Sequence, residues 1–116
     1  MKYEDLPPIS REELEDSVAF GSEEVASRAL LRMALNESDW LWTEEKCLAA
    51  LEDLRPHVKA AAITSLGHLA RIHGIVNRER VVPVLKSLQS DPEVGGIAED
   101  ALDDILLFTS SQGRVS

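Results

Sequence analysis

The chain has 116 residues, 44% hydrophobic and 28% charged, with 21 Asp and Glu against 12 Lys and Arg for a formal net charge of −9. That size and composition fit one soluble globular domain, which buries roughly 65% of its unfolded surface without a metal or a disulfide, and no apolar run approaches the ~20 residues of a membrane span. The charge excludes non-specific nucleic-acid binding, which depends on Lys and Arg neutralising phosphates; it disfavours anionic membranes and favours a basic protein partner.

The N-terminus, "MKYEDLPPIS", lacks the basic start and apolar stretch of a secretory signal. A single cysteine, Cys47, has no companion for an internal disulfide, so the expected location is the reducing cytoplasm. Residues 1–9, with Pro7 and Pro8, read as an extended lead-in. Ser10 stands three residues before Glu13, the spacing of a capping box, and "REELEDSVAF" follows as a first helix stopped by Gly21. Ser22 caps a second, "EEVASRALLRMAL", whose Val25, Ala26, Ala29, Leu30 and Met33 form one apolar face at helical spacing. "NESDWLW" reads as a turn. Thr43 is the expected cap of a third helix, "EEKCLAALEDL", with Cys47, Leu48 and Leu51 as its stripe.

Pro56 suits the first turn of a fourth helix, where its missing N–H would be unpaired anyway; Gly74 ends that helix after His73. Arg78 to Gln89 is a fifth helix, with Pro83 in or near its first turn. "SDP" predicts a cap and an N1 proline for a sixth, running from Pro92 to about Phe108. Residues 109–116 form a polar tail. No segment shows the alternating β-branched pattern of a strand. The expectation is an all-α protein with its domain over residues 10–108.

The fourth and sixth helices superimpose at an offset of 36: Pro56 on Pro92, Val58 on Val94, Ala61 on Ile97, Ala62 on Ala98, Leu66 on Leu102 and Leu69 on Ile105. The second fits the fourth at 33: Val25 on Val58, Ala29 on Ala62, Met33 on Leu66. Each is preceded by a more amphipathic partner, so the chain reads as three helix–turn–helix units. "HVKAAAITSLGHLA" after a proline turn resembles the second helix of a HEAT-type repeat. The resemblance implies a short α-solenoid of about three HEAT-like hairpins, whose units stack because none buries its apolar face alone. A plain helical bundle is the alternative.

Catalytic constellations are missing from the sequence. His68 and His73 point about 140° apart on their helix, and His57 and His68 are three turns apart, so no zinc site forms among them. Some HEAT-repeat enzymes hold a di-iron centre through His-Glu dipeptides, and this chain has none. Cys47 lies on an apolar stripe, as a small buried hydrophobe does. There is no Gly-x-Ser-x-Gly, and "VGG" at 94–96 lacks the lysine of a phosphate loop. No metal, cofactor or catalytic residue is expected.

One flank of the repeated helices stands out as a candidate groove. It carries Leu31 and Leu35 on the second helix, Thr64, His68 and Arg71 on the fourth, and Asp100, Asp104 and Leu107 on the sixth. "EDALDD" sets Glu99, Asp100, Asp103 and Asp104 within two turns, although like charges at i,i+4 destabilise a helix slightly. Such a row suits a cationic partner, or else the solvated face of a terminal repeat. Trp40 and Trp42 sit between repeats, where one serves as a plug and the other as a contact.

The segments "WLWTEEKCLAALEDL", "AAITSLGHLARIHG" and "EDALDDILLF" resemble the small helical immunity proteins of bacterial contact-dependent growth inhibition. That resemblance implies a cognate toxin, a nuclease with a basic active site, which the immunity protein binds and blocks. Glu99, Asp100, Asp103 and Asp104 would then mimic phosphate, with His68, Arg71 and a tryptophan (Trp40 or Trp42) as anchors. The alternatives are a HEAT-like scaffold or lyase-type helper binding an endogenous protein, and an enzyme with an unrecognised site.

Overall fold

The computed structural model describes residues 6–109. Six helices follow one another: α1 (Arg11–Phe20), α2 (Glu23–Asn36), α3 (Trp40–Ala50), α4 (Pro56–His73), α5 (Arg78–Leu88) and α6 (Gly95–Phe108). No strand occurs among the described residues. The outer parts of the expected lead-in and tail, 1–5 and 110–116, lie outside them.

Local chemistry sets most helix ends. The Ser10 hydroxyl accepts the Glu13 N–H at 3.0 Å, and Ser22 accepts that of Val25 at 3.2 Å, each pairing one otherwise orphaned donor. The Glu13 carboxylate does not complete a capping box; it takes Arg32 Nη1 at 3.1 Å instead. Arg55 offers α4 no side-chain cap. A carboxylate from α2 serves, since Glu23 Oε2 accepts the His57 N–H at 2.8 Å. Gly74 closes α4 at φ 68°, the left-handed conformation that glycine adopts without strain.

Three expectations need correction. Trp40 and Trp42 are not in a turn but in the first turn of α3, because Asp39 rather than Thr43 caps that helix, accepting the Trp42 N–H at 3.1 Å. Thr43 is buried and donates its hydroxyl to the Asp39 carbonyl. The sixth helix starts at Gly95, not Pro92, because Asp91 Oδ1 accepts the N–H groups of Glu93 and Val94 and winds 91–94 into a turn. Val25 does not share the α2 apolar face: it is 48% exposed.

Helix α4 is the centre of the packing. It lies against α2 on one side and α6 on the other, with α3 also against it; α1 pairs with α2, and α5 with α6. Burial follows the sequence offsets at the core positions, except that Val58 is buried and Val25 is not. Ala62 and Ala98 are both fully buried, Leu66, Leu69 and Ile105 likewise, and Met33 and Leu102 nearly so. Small residues let the helices approach: a Cβ on Gly67 would stand 3.5 Å from the Cα of Ala101 on α6. The Cα radius of gyration, 13.4 Å, is that of an ordinary globular domain of this length.

Candidate functional site

Helix α6 carries Glu99, Asp100, Asp103 and Asp104 and no basic residue. Its Ala98, Ala101, Leu102 and Ile105 are buried. At 100° per residue the four acids must then occupy the outer half of the helix. Glu99, Asp100 and Asp103 are exposed, and Asp104 is half-buried. The Asp104 carboxylate lies over α4, 3.3 Å from where a Gly67 Cβ would be. Among the described residues none of the four forms an ion pair. One turn further on, Leu106, Leu107 and Phe108 are exposed at 49%, 67% and 42%. The helix thus presents a negative band followed by an apolar end.

Arg71 is exposed on the neighbouring α4, while His68 is buried. Burial holds the His68 imidazole below its usual pKa; Arg71 pushes the same way and Asp104 opposes. The fold therefore gathers His68, Arg71 and Asp104 into one electrostatic neighbourhood. His68 lies beneath that surface rather than on it, so it supports shape from within.

The tryptophans belong elsewhere. The Arg11 guanidinium sits 4.3 Å from the Trp42 ring centroid and Lys46 Nζ 5.4 Å from it, both within cation–π range. Arg11 also reaches Glu37 and Asp39, at 3.3 and 3.2 Å. Trp42 thereby joins α1 to α3. Trp40 is partly buried against the core, and α3 packs on α4 and α2.

Sequence reasoning missed a buried polar cluster. Glu44 on α3 is fully buried; its Oε1 accepts the Asn77 N–H, at the start of α5, at 2.6 Å. Its Oε2 has no hydrogen-bond partner. Burial raises its pKa, against the Asn77 N–H and the charge of Arg80. One turn along, burial pushes the Cys47 thiol up to about 12, with the Ser65 hydroxyl opposing. A thiol that holds its proton to that pH is neither a nucleophile nor a metal ligand at neutrality. No group of three His, Cys, Asp or Glu among the described residues is placed to hold a metal. No described helix is long and apolar enough to cross a membrane. A run of "TEEKC" gives no sign of which acid is buried; only the arrival of Asn77 from α5 decides it.

Fold and site define a class: an all-helical protein with an acidic helix, unmatched by cations among the described residues, at one edge of its packing. No protein-family description matches the sequence, and no curated protein does. A solved structure does. A chain in the crystal structure of the CDI (contact-dependent growth inhibition) complex from Cupriavidus taiwanensis LMG 19424 superimposes with a TM-score of 0.84 at 32% identity. The match covers 96% of this chain and 98% of that one. The chain belongs to the family of that CDI-complex component.

Proposed function

We propose that the chain is the immunity protein of a contact-dependent growth inhibition pair. It binds a cognate toxin, a basic nuclease, and keeps substrate out of the toxin's active site without catalysing a reaction itself. The match to a CDI-complex chain, at 32% identity over 96% of this chain, carries the reading. The residue chemistry supports it. A net charge of −9 attracts a basic partner and raises its encounter rate, and Glu99, Asp100 and Asp103 stand exposed with no ion pair among the described residues. In this reading the α6 acids occupy phosphate positions in the toxin cleft, Arg71 borders them, and the exposed Leu107 seats against an apolar wall. Residues 10–108 act as one cytoplasmic domain, a short stack of three HEAT-like hairpins, which binds neither nucleic acid nor membrane.

Co-expression with the product of the toxin gene immediately upstream tests the pairing. The expected result is a stable complex in which nuclease activity is lost at equimolar immunity protein. A chain that neither captures nor neutralises that toxin sinks the reading. The face is tested separately by Asp100→Lys with Asp104→Lys, which should weaken the complex at least about tenfold through slower association and faster dissociation. Unchanged affinity would place the interface away from α6.

A further inference from the structure

A second surface lies between α1 and α3. Those helices meet through the Lys46–Glu15 ion pair at 3.3 Å and the stacking of Arg11 on Trp42. Between them remains a cleft of about 430 Å³ whose apolar lining includes Leu14, Val18, Leu30 and Ala50. That volume is within the range of about 300–1,000 Å³ typical of ligand-binding clefts.

Two bare side chains follow directly on residues that line it. Phe20 is 86% exposed and directly follows the lining residue Ala19; Leu54 is 93% exposed and directly follows the lining residue Asp53. Arg55 ties these two segments together. Its guanidinium donates to the Val18 and Gly21 carbonyls at 3.0 and 3.1 Å and to Asp53 Oδ2 at 2.8 Å. The positions are thus fixed, not a frayed end. A monomer gains nothing from a Phe and a Leu held in water, and exposed apolar side chains next in sequence to an apolar cleft's lining suit an interaction site.

The charges of the lining select the occupant. Glu15, Glu52 and Asp53 line the cleft beside a single cation, Lys46. The nearby cations are engaged: Lys46 with Glu15, Arg55 with Asp53, Arg11 with Glu37 and Asp39. The surplus is negative, which repels a second copy of this chain and attracts Lys or Arg. We propose that the α1–α3 cleft docks a basic segment of a protein partner through one large apolar side chain. This surface is separate from α6, and the inference does not rest on the toxin reading.

The test is an NMR titration of the whole protein with two short probe peptides of equal length, one alternating leucine with lysine, the other leucine with glutamate. The leucine–lysine probe should shift amides of 14–20 and 49–55. The leucine–glutamate probe should leave them in place. Phe20→Ser with Leu54→Ser should weaken the first probe about tenfold or more, and because both side chains are exposed the fold should survive. Asp100→Lys with Asp104→Lys should leave those shifts intact. Shifts spread over the surface or confined to 99–107 would overturn the proposal. So would equal binding of the two probes, or an unaffected Phe20→Ser/Leu54→Ser variant.

Discussion

The acids of α1–α3 and the acids of α6 do different work. In the first region many carboxylates are matched inside the molecule, although Glu12, Asp16 and Glu52 are exposed and form no ion pair among the described residues. Glu13 holds Arg32, Glu15 holds Lys46, Glu37 and Asp39 hold Arg11, and Glu45 holds Arg80. Glu23 caps α4 and Glu44 takes the N–H that starts α5. On α6 four carboxylates have no such partner among the described residues, and like charges stand at i,i+4 twice, Glu99 with Asp103 and Asp100 with Asp104. Formal charge treats these groups alike. Structure divides them into acids that hold elements together and acids left available to another molecule.

The division presumes one cooperative unit, and the largest expected effect tests that. Leu66 is fully buried on α4, the helix between α2 and α6. Leu66→Ala should cost about 2–5 kcal/mol, the lost transfer free energy plus a cavity. Thermal melts followed at Trp42 and at an amide of α6 should fall together. If the two probes separate, the regions are independent units and the contrast is between two bodies.

Glu44 sharpens the contrast next. Its folded pKa is raised by burial, so the folded state binds its proton more tightly than the unfolded chain does. Its contribution is fully present below the ordinary carboxyl value and is lost as pH rises through the raised one. Glu44→Gln keeps an acceptor for Asn77 and carries no charge. It should match the parent at low pH and become increasingly more stable than it towards neutrality. Glu44→Ala leaves the Asn77 N–H without its acceptor and should cost about 1–3 kcal/mol. Asp53 behaves oppositely: Arg55 holds it down at about 2. Its contribution is present above the ordinary carboxyl value and is lost as pH falls towards about 2, so Asp53→Asn should flatten the acid limb. Denaturant melts at a series of pH values check all three.

The Ser22 cap comes third. Ser22→Ala removes the acceptor for the Val25 N–H and should cost about 1 kcal/mol, read as a lower denaturation midpoint at unchanged slope. An unchanged midpoint would mean that Glu23, already bonded to α4, suffices to fix this helix start.

Six helices were legible because periodicity and caps are local, although α3 was expected to run to Leu54 and ends at Ala50. Ser10, Ser22, Pro56 and Gly74 each act within four residues of the helix end they define. The α3 start was misread for a related reason: Asp39 and Thr43 are both good caps, and the two tryptophans between them suggested a connection. Asp91 could begin a helix or wind a turn, and only its bonds to Glu93 and Val94 decide. The acidic row of α6 was legible as a run of letters. That its members lack ion pairs among the described residues was not, because the cations that match other acids lie far off in sequence: Arg11 from Glu37, Arg32 from Glu13, Arg80 from Glu45. The same distance hid Glu44 and the α1–α3 cleft, since each depends on elements meeting across the fold.

The smallest expected effect bears most directly on the contrast. If α6 keeps its acids for a partner, the free protein is carrying repulsion it could do without. Asp100→Asn with Asp104→Asn relieves one of the two i,i+4 pairs and removes no ion pair. The free protein should become more stable by a few tenths of a kcal/mol, and the gain should shrink as salt screens the charges. Asp104 lies close over Gly67, so Asp100→Asn with Asp103→Asn, both exposed, serves as the control for packing. A clear loss of stability in both double variants would put the α6 acids with those of α1–α3, as groups the fold itself requires. A gain in stability alongside weaker toxin binding is what separates an acid kept for recognition from one kept for folding.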